Sequence, residues 1–223
     1  MANPKDYILK LHPAKRPPQQ TLPEKVVADI AWYNANRASR RRFNPVAGIE
    51  GAVIHATAGG TSGGCLSWWK DPRGHASAHW VVPGEIEAEH GKSVIACVYE
   101  ALAAWHVRND KGSSRVNGGK KLINHWTLGI EIVNTQRPGD TYSDWQVETT
   151  ARIIRYCWAK YPNFKWVFSH AAVDPSRRSD PGTAFPWDRF VKLVQQGAAD
   201  AAPLEIPAVP AGLHDGVPCG IRG

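Results

Sequence analysis

The sequence has no apolar stretch that approaches the roughly 20 residues needed to span a lipid bilayer, and it opens at 1–6 without the basic-then-apolar layout of a secretory signal. It has only four cysteines, and none of them forms a C-x-x-C pair, which argues against a cysteine zinc site or a disulfide scaffold. We therefore expect a soluble protein that is made in the cytoplasm without a signal peptide, with plain and mostly buried thiols.

Positive charge is concentrated near the start of the chain. The formal net charge is +7, and residues 1–42 hold nine basic and three acidic side chains, so the other residues are nearly neutral. This segment is either a solvated arm or a surface that attracts an anionic polymer. Nucleic acid is the weaker candidate, because the sequence has no zinc-finger spacing and no recognisable reading helix.

Length and composition indicate one folded domain with two extensions. The chain has 223 residues, of which 43% are hydrophobic and 21% charged, values typical of a globular protein with one well-filled core. Proline, glutamine and lysine are frequent over 4–23, and proline, alanine and glycine over 197–223. We predict a basic, Pro-rich N-terminal arm and lead-in over 1–45, a domain over 46–196 and a C-terminal tail over 197–223.

Within that domain, β-like and helix-like segments alternate. A capping box, Ser143-Asp144-Trp145-Gln146, begins an amphipathic helix that runs to about Lys160. Pro83-Gly84 predicts a hairpin between 79–82 and 86–89. Further strands are predicted at 52–57, 128–133 and 166–168, and further helices at 66–70 and 187–196. This order predicts an α/β fold, a single domain with a central mixed β-sheet flanked by helices and with its chemistry at strand ends.

Three side chains could form a catalytic metal site at those strand ends. A catalytic zinc takes three imidazole or carboxylate ligands and keeps one position open for water. His55 ends one predicted strand and His170 follows another, while Asp180 lies ten residues further on, before a proline and a glycine that favour a tight turn. Taken singly, a histidine at a strand end is more often a hydrogen-bonded core residue, and Asp-Pro-Gly is usually just a turn.

Five motifs in order strengthen this interpretation. They are Val53-Ile54-His55-Ala56-Thr57-Ala58, Ser77-Ala78-His79-Trp80, Ala104-Trp105-His106, Leu128-Gly129-Ile130-Glu131, and His170 followed after nine residues by Asp180-Pro181-Gly182. Together, over roughly 50–190, they closely resemble the zinc-dependent N-acetylmuramoyl-L-alanine amidases, the family that also includes the peptidoglycan recognition proteins. The resemblance implies hydrolysis of the amide between N-acetylmuramic acid and L-alanine of peptidoglycan.

The resemblance also implies roles for individual residues. One zinc ion would be held by His55, His170 and Asp180. Glu131 would be the catalytic acid and base, and His106 would lie in the substrate groove. Two positions depart from the family pattern: Arg178 stands where active members often have an oxyanion-stabilising lysine, and Ala78 where some have a tyrosine. Arginine keeps the charge but presents a planar fork of donors.

Other functions remain open. Gly60-Thr61-Ser62-Gly63-Gly64 satisfies the G-x-S-x-G pattern of serine hydrolases, with Ser62 as the candidate nucleophile. A second alternative is a non-catalytic peptidoglycan-binding module. As an amidase, the chain fits a lytic, endolysin-type enzyme that acts on the bacterial cell wall after release and whose basic arm engages an anionic envelope polymer. The alternative is a cytosolic enzyme that recycles muropeptides, a role that gives the basic arm no task.

Overall fold

The computed structural model describes residues 3–20, 25–27, 38–87 and 93–196. Its main sheet has seven strands in the order β1-β9-β4-β8-β5-β6-β2, and a separate antiparallel pair joins β3 to β7. The strands are β1 (Ile8–Lys10), β2 (Lys25–Val27), β3 (Ala38–Arg40), β4 (Gly51–Ala56), β5 (Trp80–Val82), β6 (Val94–Ala96), β7 (Leu102–Ala104), β8 (Thr127–Ile132) and β9 (Trp166–Ser169).

Among the described residues, five α-helices flank the sheet. They are α1 (Ser62–Lys70), α2 (Ile123–Trp126), α3 (Asp144–Lys160), α4 (His170–Val173) and α5 (Trp187–Val194). None of the helices in the described part of the chain is long and apolar enough to cross a membrane. The fold is thus a single α/β domain built on a mixed sheet, as the alternating segments predict.

The centre of the sheet is parallel: β9, β4, β8 and β5 run in the same direction. Successive side chains of a strand point to opposite faces. On β4 and β8, residues 52, 54, 56, 128, 130 and 132 join the main hydrophobic core. His55, Gly129 and Glu131 therefore share the opposite face, where Val53 joins a second core with residues of α2 and α4.

Helix α3 covers the main core as its sequence predicts. The Ser143 hydroxyl accepts the Gln146 amide and the Gln146 side chain accepts the Ser143 amide, so the predicted capping box is present. Its Val147, Ile154 and Trp158 side chains are buried against the sheet with residues of α5. Because α3 and α5 cover this face of the sheet, a site that is open to substrate must lie on the opposite face.

The prediction that the first residues form an arm without a core is wrong for 4–16. Strand β1 pairs antiparallel with β9, and Tyr7, Leu9 and Leu11 are buried in the main core. The Tyr7 ring stacks on Trp187 with centroids 4.7 Å apart. These three residues alternate with polar or half-buried ones, the period of a strand with one buried face. The predicted tail over 197–223 lies outside the described residues.

Two basic residues of the positively charged segment 1–42 form hydrogen bonds with the rest of the domain. Arg16 donates to the carbonyls of Tyr161 and Pro162, 3.0 and 2.7 Å away, just past the end of α3. Arg41 donates to the carbonyls of Glu100 and Asn124 at 2.9 and 3.0 Å, and burial lowers its pKa to about 10. Part of the positive charge is therefore structural.

The predicted hairpin has a different second strand. β5 pairs antiparallel with β6; of the predicted second strand, the described residues 86–87 form no strand, and the Ile86 side chain is 95% exposed. Glu87 instead turns back, its carboxylate accepting the Gly84 amide at 2.6 Å. Residues 88–92 lie outside the described residues. The prediction of buried free thiols is confirmed for Cys97 and Cys157, whereas Cys65 is half-buried.

Candidate metal centre and its pocket

The parallel strands bring the predicted site residues to one edge of the sheet. His55 lies near the end of β4 and is the register partner of Glu131 on β8. On the other side of β4, β9 ends at Ser169, and His170 is the first residue of α4. Because parallel strands end at the same edge, residues far apart in sequence meet there.

His55, His170 and Asp180 form a compact cluster of possible metal ligands. The two histidine Nδ1 atoms are 2.9 Å apart, and Asp180 Oδ2 is 3.0 Å from that of His170 and 3.4 Å from that of His55. All three side chains are buried. Two imidazole nitrogens and one carboxylate oxygen thus point at a common centre, the donor set of a catalytic zinc site.

The Asp180 carboxylate is held by its backbone neighbours. The Asp180 carbonyl accepts the Ala171 amide at 3.0 Å, which ties it to the first turn of α4. The following turn is closed by the Gly182 amide, which donates to the Ser179 carbonyl at 2.9 Å, and Gly182 has φ +81°. Tyr142 donates its hydroxyl to the Pro181 carbonyl at 2.7 Å. The tight turn predicted from Asp-Pro-Gly is therefore present.

Burial and mutual charge set the protonation of the cluster. Burial and the neighbouring His55 lower the pKa of His170 to about 4. Burial alone would raise the pKa of Asp180, but the interactions with the neighbouring His170 and His55 outweigh it and lower that pKa. At neutral pH the site thus offers the neutral His170 imidazole and the ionised Asp180 carboxylate, the forms that bind a metal ion.

Glu131 has a different environment. Burial raises its pKa to about 7, and the nearby Asp180 adds to this, while His55 and Arg178 oppose it. Its Oε2 atom is buried and has no hydrogen-bond partner among the described residues. A carboxyl group whose pKa is near 7, beside a cluster of possible metal ligands, can both accept and donate a proton at neutral pH.

A pocket of about 490 Å³ opens in front of the cluster. Arg178 is exposed and lines it, and its charge acts on both Glu131 and His170. Trp68 lies on α1 with half of its surface exposed. The lining residues that carry the chemistry or the shape are His55, His106, Glu131, His170, Arg178, Asp180, Trp68, Trp69, Trp105 and Gln136.

His106 lies beneath the cluster, although it also lines the pocket. It is 7% exposed, and its Nδ1 is 3.1 Å from His55 Nε2. A Cβ atom at Gly129 would come within 2.5 Å of the His106 ring, so glycine is required at that position of β8. Burial and the adjacent His55 and His79 lower the pKa of His106 well below its usual value.

Two further polar residues have buried contacts close to the cluster. His79 is fully buried, accepts the Gly129 amide at 2.9 Å and contacts the Leu102 carbonyl at 3.1 Å. Thr127, the first residue of β8, is also fully buried, with its hydroxyl 3.3 Å from His106 Nε2. His79 is marked by its motif, whereas nothing in the sequence around Thr127 indicates a polar contact.

The serine-hydrolase alternative does not fit the structure. Ser62 is fully buried at the start of α1 and does not line the pocket. Both its amide and its hydroxyl donate to the Glu87 carboxylate. A serine nucleophile needs an exposed hydroxyl beside a base such as histidine. The Cys65 thiol does line the pocket, but burial raises its pKa, which disfavours the reactive thiolate.

Known proteins with similar sequences are amidases. The chain is 24% identical over 185 residues to N-acetylmuramoyl-L-alanine amidase A of Achromobacter lyticus, an alignment that covers 74% of this chain and 94% of that protein. It is 30% identical over 131 residues to the 1,6-anhydro-N-acetylmuramyl-L-alanine amidase AmpD of Escherichia coli, covering 56% of this chain and 68% of AmpD.

The fold and the family model agree with these relatives. The crystal structure of AmpDh3 from Pseudomonas aeruginosa superposes with a TM-score of 0.57 at 25% identity, covering 70% of this chain and 63% of that one. The family model described as N-acetylmuramoyl-L-alanine amidase matches residues 43–183, more than half of the chain and the whole of the metal cluster. The chain belongs to the N-acetylmuramoyl-L-alanine amidase family.

Proposed function

We propose that this chain is a zinc-dependent N-acetylmuramoyl-L-alanine amidase with a lytic role, which hydrolyses the amide between N-acetylmuramic acid and L-alanine of peptidoglycan. The observation that carries the proposal is the convergence of two imidazole nitrogens and one carboxylate oxygen close to Glu131, whose buried Oε2 has no hydrogen-bond partner among the described residues. Family membership gives the class of the bond, and the pocket gives the substrate access to the cluster.

The donor geometry fits zinc. Ligand atoms at 2.0–2.1 Å from a tetrahedral zinc ion lie about 3.4 Å from one another. The three donor atoms of His55, His170 and Asp180 are 2.9, 3.0 and 3.4 Å apart. These separations are close to that value, so His55, His170 and Asp180 would hold a zinc ion. When bound there, zinc supplies a Lewis acid and lowers the pKa of water to about 7.

Glu131 and Arg178 are proposed to do the remaining chemistry. The Glu131 carboxylate accepts the proton of the attacking water and then donates it to the departing amine nitrogen, because an amide anion is a very poor leaving group. A pKa of about 7 suits both transfers. Arg178 lies at the rim of the pocket, where its guanidinium stabilises the negative charge that develops on the carbonyl oxygen. Loss of one such donor typically lowers the rate by about 10²- to 10³-fold.

Metal analysis and product analysis test this function. The wild type should bind one zinc ion per chain, lose activity to a chelator and release L-alanine-terminated peptide from a muropeptide. His170→Ala should lose both zinc and activity, because it removes one of the three ligands. Activity that resists chelation, or a zinc content unchanged in the variant, would refute the proposal. Zinc binding without hydrolysis would favour the alternative of a peptidoglycan-binding module.

A second biological role has a specific observation in its favour. AmpD, at 30% identity, is named for 1,6-anhydro-N-acetylmuramyl-L-alanine, so a muropeptide-recycling enzyme in the cytoplasm is the alternative to a lytic enzyme that acts on the wall after release. The lytic role draws on the basic residues before residue 43, through which the chain would engage an anionic envelope polymer.

Parallel assays separate the two roles. A lytic enzyme should clear a turbid suspension of permeabilised cells. An enzyme for recycling should leave the suspension turbid while it hydrolyses a soluble anhydro-muropeptide.

A further inference from the structure

A metal-ligating histidine needs its other ring nitrogen to carry the proton. His55 points Nδ1 at the cluster and Nε2 away from it, toward His106 Nδ1 at 3.1 Å. Both rings are buried, so water does not choose between the two tautomers of His55. The group that does so must be the one that Nε2 contacts.

The direction of each hydrogen bond behind His55 follows from Thr127. The Thr127 hydroxyl has one proton, and it is 2.7 Å from the Ile123 carbonyl, which can only accept. The hydroxyl therefore donates to Ile123, and toward His106 Nε2, 3.3 Å away, it can only accept. His106 must then carry its proton on Nε2.

The proton on His106 Nε2 in turn fixes the hydrogen bond between His106 and His55. With its proton on Nε2, the neutral His106 ring presents a lone pair on Nδ1. That lone pair accepts a proton donated by His55 Nε2, 3.1 Å away. His55 Nδ1 is left without a proton and faces Asp180 and the second histidine of the cluster. The order of donation thus runs from His55 to His106, then to Thr127, and ends on the Ile123 carbonyl.

We propose that Thr127 and His106 are positioning residues that fix His55 in the tautomer able to ligate the metal ion. This inference rests on the proposed zinc function. It gives His106 a role behind the metal, in addition to or in place of the predicted contact with substrate. It also gives a purpose to Gly129, since any larger residue there would push the His106 ring away from its place.

The backbone around His106 is built to hold this arrangement. The Val107 amide donates to the Asn124 side chain at 2.9 Å, and the Asn124 amide group donates back to the Val107 carbonyl at 2.6 Å. Asn124 belongs to α2, whose Ile123 carbonyl ends the series of bonds. His170 offers a contrast within the same site, because its outer nitrogen Nε2 is buried without a hydrogen-bond partner among the described residues.

Zinc affinity of matched variants tests the proposal. Thr127→Val keeps the shape but loses the hydroxyl, and Thr127→Ser keeps the hydroxyl. His106→Ala removes the acceptor, and His106→Asn places an amide oxygen near the position of Nδ1. Competition with a chelator of known affinity should show zinc binding weakened about 10- to 100-fold in Thr127→Val and His106→Ala. It should show Thr127→Ser close to the wild type and His106→Asn much improved over His106→Ala.

The tautomer itself can be read in the wild type by nitrogen NMR of the histidine rings of the zinc-loaded protein. His55 should be protonated on Nε2, and circular dichroism of each variant checks its fold. The inference is overturned if His55 is protonated on Nδ1, or if folded variants bind zinc as the wild type does. A raised KM with unchanged zinc affinity in His106→Ala would assign that residue to the substrate alone. A wild type that binds no zinc would instead refute the proposed function.

Discussion

Leu9 provides a direct measure of how firmly the first strand belongs to the fold. The side chain is 6% exposed and packs in the main core, and its backbone is the register partner of Val167 on β9. Truncation of a buried leucine to alanine typically costs about 2–5 kcal/mol, from lost transfer free energy and from the cavity that remains. Leu9 lies on an edge strand where relaxation is easy, so we expect a loss near 3 kcal/mol.

That loss should be visible in a thermal melt. For a domain of this size each kcal/mol shifts the melting temperature by about 2–4 °C, so Leu9→Ala should melt about 6–12 °C below the wild type. The metal-free protein should be used, because a bound ion adds its own stabilisation. Lys15→Ala is the control, since Lys15 is exposed in the same segment and its loss should cost less than about 0.5 kcal/mol. Equal melting of the two variants would refute the burial argument and restore the N-terminal residues to the status of an arm.

Three further predictions concern catalysis, binding and pH. Glu131→Gln should lower kcat by about 10²- to 10⁴-fold without loss of zinc, as measured by turnover of a muropeptide and by metal analysis, and near-normal turnover would exclude it as the proton carrier. Trp68→Ala should raise KM about fivefold, since it removes roughly 1 kcal/mol of apolar contact from the pocket wall, while the equally exposed Val46→Ala, outside the pocket, should not. Burial acts to raise the pKa of Glu50, but hydrogen bonds from Lys120 and other groups lower it overall. The ionised carboxylate therefore stabilises the folded protein at a pH above the usual pKa of glutamate, and this contribution is lost as the pH falls. Glu50→Gln should therefore melt below the wild type at pH 7, and the two melting temperatures should converge as the pH falls through the lowered pKa of Glu50; a gap that persists in acid would show that charge is not the cause.

Local sequence patterns predicted the elements that carry strong local signals. Helix α3 begins and ends where its capping box and apolar spacing indicate, because both signals act over a few residues. Strands β4 and β8 follow from their runs of apolar residues, and with them the positions of His55 and Glu131. The family motifs then supplied the chemistry that no single residue specifies.

The misses share a physical cause, which is that long-range pairing decides them. Tyr7, Leu9 and Leu11 do alternate, yet three residues of strand have too little signal to compete with the surrounding prolines and lysines. Proximity in sequence favours 86–89 as the second strand of the hairpin, whereas β5 pairs with β6. The part played by Thr127 depends on the proximity of His106, which is set by the packing of β7 and α2 on the sheet.

The pairing of β1 with β9 also determines when during synthesis the site can form. The Ser169 hydroxyl donates to the Pro4 carbonyl across 165 residues of chain, and the two histidines of the cluster are 115 residues apart. When synthesis has reached residue 160, β1 and β4 have been made, but β9, the strand that lies between them in the sheet, has not. The central strand between them arrives last, and contacts of such long separation are slow to form. In this topology the three candidate ligands come together only after the chain has been made as far as Asp180.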